Sequence, residues 1–344
     1  MDLLTLSLAV VGLAVAIVFA FTNGFQDAAT TAATMVASRS ATPRQAIIMI
    51  AVMNGVGAMI GGSAVAFTIA DLVDNADAQM SLVIMLSALL GAVTWNLITW
   101  YYGIPSSSTH GLVGGIIGAG VALAGTGSVN WGLDRLISSS MELVGVTKIV
   151  FYLLFSVMFG FVVGYLIYKL SKFLLRNAGK KVNRDLRRSQ WVVAAIFALA
   201  NGANDSQKQL GIMALIVLSA GMTATLDIPL WARALVALAM GLGTLAGGWR
   251  IMKTLGRQIF DIEPIHSLDS QIVSGTALVV STIQGAPISS TQVVSSSILG
   301  IGAAVNPRKV RWGKGKEIAI SWLITIPASA AIAGGVALLL WSVI

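Results

Sequence analysis

The chain has 344 residues, of which 56% are hydrophobic and only 10% are charged, and its net charge is +8. A water-soluble domain carries about 25% charged residues, so this composition excludes a soluble protein. There is no cysteine, which excludes disulfides, cysteine-ligated metals and thiol catalysis. The basic residues lie between apolar segments, where cytoplasmic loops of membrane proteins collect Lys and Arg. We therefore expect a lipid bilayer, and no nucleic acid, as partner.

Apolar runs that could each cross a bilayer recur along the whole chain. A spanning helix needs roughly 20 apolar residues, and such runs occupy residues 3–21, 46–70, 83–102 and 149–170. We predict an all-α polytopic membrane protein of the cell membrane, plasma or inner. It should have about 10 membrane segments, or about 12 if broken or re-entrant helices at the midplane are counted in pieces.

Two motifs occur once in each half of the chain. Residues 23–27 (Asn-Gly-Phe-Gln-Asp) match residues 201–205 (Asn-Gly-Ala-Asn-Asp), 178 positions later. Residues 103–109 (Gly-Ile-Pro-Ser-Ser-Ser-Thr) match residues 285–291 (Gly-Ala-Pro-Ile-Ser-Ser-Thr), 182 positions later, and a Gly-Gly pair recurs at 61–62 and 247–248. We predict a membrane repeat over 1–168, a basic linker over 169–189 and a second repeat over 190–344.

The charges of corresponding loops predict that the two repeats are inverted. Residues 71–77 of the first repeat are acidic, whereas the corresponding residues 250–257 of the second repeat are basic. The loop 306–316 is also basic, while its counterpart near 134–142 is almost neutral. Because basic loops stay in the cytoplasm, each loop should lie on opposite sides in the two halves. The linker is then cytoplasmic and both termini are external, as in the inverted repeats of secondary transporters.

Asp27 and Asp205 stand within apolar segments, away from the loops that hold nearly all other acidic residues. A carboxylate at the bilayer centre costs about 2.5–3.5 kcal/mol and is functional by default. With Asn23 and Asn201 they offer hard oxygen ligands, which suit Na⁺ or a proton. The motif glycines would let each helix unwind and expose carbonyl groups as further ligands. Lys208 could hold an anion or neutralise Asp205; the bland alternative is a buried Asp that a hydroxyl or this lysine satisfies.

The Pro-Ser motifs predict two helix N-termini inside the membrane. Proline and serine favour helix starts, and unpaired N–H groups with clustered hydroxyls bind anions. Ordinary helix capping explains a single such motif more often than an anion site does, but two inverted copies that meet in the membrane interior indicate an anion site. The candidate anion ligands are Ser107, Ser108, Thr109, Ser289, Ser290 and Thr291.

These motifs, together with the stretch 247–266, resemble the inorganic phosphate transporter (PiT) family over essentially the whole chain. The resemblance implies cation-coupled phosphate uptake, external termini and an elevator-like motion. It also implies a core in which the Asn/Asp and Ser/Thr motifs meet around the substrate, which adds Gln26, Asn204 and Lys208 to the phosphate ligands. Gln26 stands where many members have His, which favours sodium over protons. Residues 204–208 resemble bacterial members thought to use protons or to carry metal–phosphate, and some relatives move sulfate.

We therefore predict a secondary active transporter that couples inorganic phosphate to sodium ions by elevator-type alternating access. The alternatives are a proton-coupled phosphate or metal–phosphate carrier, a sulfate permease and, more remotely, an anion channel. An enzyme is not expected, since neither a Ser-His-Asp constellation nor a metal cluster is apparent. We expect no cofactor other than the transported Na⁺ or H⁺, and a homodimer is the assembly that we consider.

Overall fold

The computed structural model describes residues 2–73, 77–138, 142–179 and 181–344, so Asp74 of the acidic loop and Lys180 of the linker lie outside the described residues. Within these ranges the regular structure is helical, and a single antiparallel bridge joins Val73 to Val129. The helices are α1 Leu3–Ala37, α2 Pro43–Ile60, α3 Ala64–Ala70, α4 Ala78–Tyr102, α5 Ser108–Ala124, α6 Leu133–Ile137, α7 Gly145–Leu174, α8 Val182–Ser219, α9 Leu230–Ala246, α10 Trp249–Lys253 with a π-helical extension Thr254–Gln258, α11 Pro264–Ile283, α12 Ser290–Val305 and α13 Trp312–Val343.

Five helices are long and apolar enough to cross a membrane, namely α1, α2, α4, α7 and α13. A sixth candidate is the pair formed by α9 and α10, which is bent by 60°. Ten of the described helices have at least 16 residues, counting the shorter apolar helices α5 and α12 and the more polar α8 and α11. The predicted all-α membrane architecture is therefore confirmed.

The two halves pass through the same order of elements, with α1, α2, α3, α4, α5 and α7 matched by α8, α9, α10, α11, α12 and α13. Packing follows the same correspondence. Helix α2 packs on α8 as α9 packs on α1, and α5 packs on α13 as α12 packs on α7. Each repeat is thus folded around helices of the other. The opposite membrane orientation of the halves stays a prediction.

The basic stretch predicted as a linker contributes mostly to helix ends. Helix α7 continues to Leu174 and α8 begins at Val182, so only the short segment between them connects the repeats.

Each Pro-Ser motif forms the tip of a helical hairpin, α4–α5 in one repeat and α11–α12 in the other. A glycine with left-handed backbone opens each tip, Gly103 with φ 67° and Gly285 with φ 63°. The Thr254 hydroxyl donates to the Gly103 carbonyl at 3.0 Å, and the Thr68 hydroxyl donates to the Gly285 carbonyl at 2.7 Å. Thr254 begins the π-helical extension of α10, and Thr68 belongs to α3. The short helices therefore hold the tips that carry the Ser/Thr motifs.

Close backbone contact between α2 and α8 requires a glycine at position 202. A Cβ atom there would overlap the backbone of Asn54. We expect Gly202→Ala to destabilise the protein by about 1–3 kcal/mol through overpacking. Gly335→Ala in α13 is the matched control, because no atom lies within 4 Å of its added Cβ, and alanine should gain up to about 1 kcal/mol of helix propensity. Thermal unfolding in detergent measures both changes; equal melting temperatures would contradict the packing.

Candidate functional site

The two Asn/Asp motifs lie midway along α1 and α8, which pack against each other, and their side chains are buried. Asp27 is 2% exposed and Asp205 is 1% exposed. The Asp27 carboxyl group lies close enough to Asp205, Lys208 and Asn201 for each of them to act on its charge. The predicted meeting of the two motifs is therefore present in the structure.

The expectation that the motif glycines unwind their helices is wrong. Helices α1 and α8 run without a break through Gly24 and Gly202. A Cβ at Gly24 would overlap the backbone of Met240, as one at Gly202 would overlap Asn54. The glycines therefore allow two helices to approach closely. The intact helices keep their carbonyl groups in the helical ladder, so the polar atoms offered by these motifs come from side chains.

Lys208 joins the two hairpin tips to the second carboxylate. Its ammonium group, 1% exposed, donates to the Thr109 hydroxyl at 2.6 Å and to the Ile288 carbonyl at 3.0 Å, and it forms a short ion pair with Asp205. The Thr109 hydroxyl donates in turn to the same Ile288 carbonyl at 3.2 Å. In this arrangement Lys208 neutralises Asp205, which is one of the two roles considered from the sequence.

The first repeat makes the equivalent contacts without a lysine. Thr30 occupies the position that Lys208 occupies in the second repeat, 178 residues later. Its hydroxyl lies 3.3 Å from the Thr291 hydroxyl, as Lys208 contacts Thr109. The Ser290 hydroxyl donates to Asp27 Oδ1 at 3.4 Å. Sequence reasoning missed Thr30, although the repeat offset pairs it with Lys208.

The Ser/Thr motifs contain residues that cap a helix and residues that contact α1 or α8. Ser107 and Ser289 are the N-caps of α5 and α12, and their hydroxyls accept from the backbone N–H groups of His110 at 3.2 Å and Gln292 at 3.4 Å. The capping interpretation is therefore correct for these two serines. Ser290 contacts Asp27 instead, Thr109 and Thr291 contact Lys208 and Thr30, which each lie three residues after a motif aspartate, and Ser108 is buried.

Gln26 and Asn204 donate hydrogen bonds to α4 and α11, the helices that lead into the two hairpin tips. Gln26 Nε2 donates to the Asn96 carbonyl at 3.2 Å and to the Thr99 hydroxyl at 3.1 Å. Asn204 Nδ2 donates to the hydroxyls of Thr282 at 2.9 Å and Ser281 at 3.4 Å, and to the Ala286 carbonyl at 3.4 Å. Their N–H groups, which a phosphate would need, are therefore engaged in this state, and both remain predicted phosphate ligands.

Further buried polar residues surround this core and were not singled out from the sequence. Asn96 Nδ2 donates to the Thr22 hydroxyl at 3.4 Å, and Asn54 Nδ2 donates to the Thr244 hydroxyl at 3.4 Å. The signal that could have found them is an asparagine inside an apolar segment, since an amide in the membrane interior needs a partner.

Several buried oxygen atoms in this cluster have no hydrogen-bond partner among the described residues. In the two Asn/Asp motifs they are Asn23 Oδ1, Gln26 Oε1, Asp27 Oδ2, Asn201 Oδ1, Asn204 Oδ1 and Asp205 Oδ2. Unpaired buried acceptors are costly, and they are rare in folded proteins. Carboxylate and amide oxygens are also the ligands that hard cations prefer. No cluster of three or more His, Cys, Asp or Glu that could hold a metal occurs in the described part of the chain.

Comparison with known proteins gives consistent matches over most of the chain. The family model described as "Phosphate transporter family" matches residues 23–187 and 176–333. The chain is 40% identical over 319 residues to a probable low-affinity inorganic phosphate transporter of Bacillus subtilis (strain 168), covering 92% of each. A relative of the same description from Mycobacterium tuberculosis (strain ATCC 25618 / H37Rv) is 37% identical over 331 residues, 96% of this chain and 76% of that protein.

The fold also matches a solved structure, "The sodium-dependent phosphate transporter". The TM-score is 0.87 at 24% sequence identity, and the match covers 98% of this chain and 100% of that chain. At this level of identity the likeness establishes a shared fold.

Proposed function

The chain belongs to the phosphate transporter family, and we propose that it moves inorganic phosphate across the membrane as a symporter with sodium ions. It is a membrane transporter and not an enzyme.

The observation that carries the proposal is the meeting of two carboxylates with two hydroxyl-bearing helix starts in one buried cluster. Asp27, Asp205 and Lys208 together leave this cluster with a net charge of −1 when all three are ionised. Two like charges 4 Å apart repel by about 4 kcal/mol at an effective dielectric constant of 20. Phosphate would therefore bind poorly beside the free carboxylates unless cations bind with it, and this mutual requirement couples the two substrates.

Sodium is the coupling ion that the ligand set supports best. The unpaired oxygens of the two motifs belong to two carboxylates, three asparagine amides and one glutamine amide, and such oxygens suit a small hard cation. The position before Asp27 is a glutamine, which does not titrate. The solved structure of the same fold is of a sodium-dependent phosphate transporter. Protons are the runner-up, because the Lys208–Asp205 pair places two ionisable groups at the site.

Binding measurements on the purified protein test the choice of ion and anion. Phosphate should bind in the presence of NaCl and much less in choline chloride at the same pH, and sulfate should compete weakly. Binding that follows pH and ignores sodium would favour a proton-coupled carrier. Equal competition by sulfate would favour a sulfate permease.

Two corresponding cavities of unequal size support alternating access. A cavity of about 580 Å³ lies between α4 and α13 and is lined by Ile98, Thr99 and Pro105. The corresponding cavity between α11 and α7, lined by Val280 and Ser281, has only about 40 Å³. Lys314 and Glu317, from the start of α13, also line the large cavity, so it extends towards the end of α13 that is predicted to be cytoplasmic. We propose that the cavities exchange sizes during transport, with the elevator-type motion that the family resemblance implies.

Single cysteines in this cysteine-free chain test the unequal cavities. Ile98 and Val280 are corresponding residues, 182 positions apart, and each lines one cavity. We expect a membrane-impermeant thiol reagent to label Ile98→Cys from the cytoplasmic side faster than it labels Val280→Cys from the outside. Equal labelling rates for the two variants would contradict a resting state that is open on one side.

The proposed orientation places the linker in the cytoplasm and both termini outside. A tag inserted within 175–181 should be protected in intact cells, and tags at either terminus should be accessible. Termini on opposite faces of the membrane would contradict the inverted orientation, whatever the substrate.

A further inference from the structure

The environment of the Lys208 ammonium group has the composition of a monovalent cation site. The oxygens around Nζ are one carboxylate oxygen of Asp205, the hydroxyl of Thr109 at 2.6 Å and the backbone carbonyl of Ile288 at 3.0 Å. Carboxylate, hydroxyl and carbonyl oxygens are also typical ligands of hard metal cations. Lys208 therefore places a covalently attached positive charge inside an oxygen cage.

The first repeat lacks this attached charge. Thr30 stands at the corresponding position, and its hydroxyl contacts Thr291 as Lys208 contacts Thr109. Asp27 then has no ion-pair partner among the described residues, and its Oδ1 accepts the Ser290 hydroxyl at 3.4 Å. The two repeats present the same carboxylate and the same threonine, but only the second repeat supplies its own cation.

A role for Lys208 as a direct phosphate ligand fits this geometry less well. An ammonium group has three N–H donors, and Lys208 directs them at Asp205, Thr109 and Ile288. A phosphate ion could accept from Lys208 only after one of these contacts breaks.

We propose that Lys208 takes the place of one coupling cation. The transporter then binds one monovalent ion fewer than it would with threonine at both position 30 and position 208. The inference rests on the proposed cation-coupled transport and deepens it. The free coupling ion then binds on the Asp27 side, and the attached ammonium group serves the Asp205 side in every state of the cycle. The contacts of Lys208 with Thr109 and Ile288 also hold both hairpin tips around the second carboxylate.

Lys208→Thr and Lys208→Met both remove the positive charge of Lys208, but only Lys208→Thr leaves space and a hydroxyl oxygen for a sodium ion. Lys208→Thr restores the residue of the first repeat and leaves room for an ion beside Asp205. Lys208→Met fills a similar volume without a charge. The control is Lys172→Thr in the exposed last turn of α7. The readouts are the number of sodium ions bound per chain, from equilibrium binding of radioactive sodium, and phosphate binding as a function of sodium concentration.

Lys208→Thr should bind one more sodium ion than the wild type, and its phosphate binding should be weak at low sodium and recover at high sodium. Lys208→Met should bind no additional sodium and should not recover. A wild-type sodium count in Lys208→Thr, with phosphate binding lost at every sodium concentration, would overturn the inference and make Lys208 a phosphate ligand.

The reciprocal variant Thr30→Lys provides a second test and should bind one sodium ion fewer than the wild type. An unchanged count would contradict the equivalence of the two positions. The number of bound sodium ions is measured without phosphate. A wild-type protein that binds sodium but not phosphate would therefore refute the proposed function, and the sodium counts of the variants would still test the role of Lys208. Melting temperatures measured with and without sodium show whether each variant is folded, because an ion that binds only the folded state raises its stability.

Discussion

Asp27→Asn and Asp205→Asn should each abolish cation-coupled phosphate uptake. Each substitution removes a charged oxygen ligand from the buried cluster where α1 and α8 meet, and an amide is a much weaker ligand for a hard cation. Radiolabelled phosphate uptake into proteoliposomes measures the loss. Asp185→Asn, in the first turn of α8 and exposed, is the control and should transport normally.

The two aspartate variants should differ in stability. Asp205 is paired with the buried Lys208 ammonium group, and breaking a buried pair by removing one partner costs about 3–5 kcal/mol. Asp27 has no ion-pair partner in the described structure, and burying an unpaired charge is costly, so Asp27→Asn should be at least as stable as the wild type. The double variant Asp205→Asn/Lys208→Met should recover stability without recovering transport. Wild-type uptake with unchanged sodium dependence in Asp27→Asn would mean that this carboxylate is structural.

Thr109→Val and Thr291→Val should each weaken phosphate binding by roughly ten- to a hundredfold. Both residues stand in the first turn of a motif helix, where Thr109 contacts Lys208 and Thr291 contacts Thr30, each of which lies three residues after a motif aspartate. A hydrogen bond to a charged group contributes about 1.5–3 kcal/mol, and each 1.4 kcal/mol is a factor of ten in affinity. Valine keeps the shape of threonine and removes the hydroxyl.

A capping role would give a different result, and Thr42→Ala calibrates it. Thr42 caps α2 through a capping box away from the site, and losing a cap costs about 1 kcal/mol of stability without a change in affinity. Melting temperature and phosphate affinity should therefore both be measured for all three variants. If Thr109→Val and Thr291→Val melt lower but bind phosphate normally, the motifs are helix caps and the anion binds elsewhere.

The membrane fold and the grouping of the motifs could be predicted from the sequence because both depend on patterns along the chain. Apolar runs identify spans, and recurrence of the Asn/Asp and Pro-Ser motifs at nearly one offset predicts that they occupy equivalent places. The carboxylates at 27 and 205 stand out because a charge inside the membrane is costly. Each of these predictions needs only the type of a residue and its position along the chain.

The direction of individual side chains could not be predicted in this way. In a motif of consecutive hydroxyl residues, the rotation of the helix decides that Ser107 caps the helix while Thr109 meets Lys208. Gly24 gives the same signal for an unwound helix and for close packing, and only the backbone of Met240 beside it decides in favour of packing. The role of Lys208 depends on Ile288, which is 80 residues away in the chain.

Uptake of phosphate against its own gradient tests the central claim most directly. Proteoliposomes with equal phosphate on both sides should accumulate phosphate when sodium is added outside, and a sodium ionophore should abolish the accumulation. A proton gradient of the same size, imposed without sodium, should drive less. If phosphate only equilibrates across the membrane, whatever sodium or proton gradient is imposed, the protein conducts phosphate as a channel and the coupled site proposed around Asp27 and Asp205 is wrong.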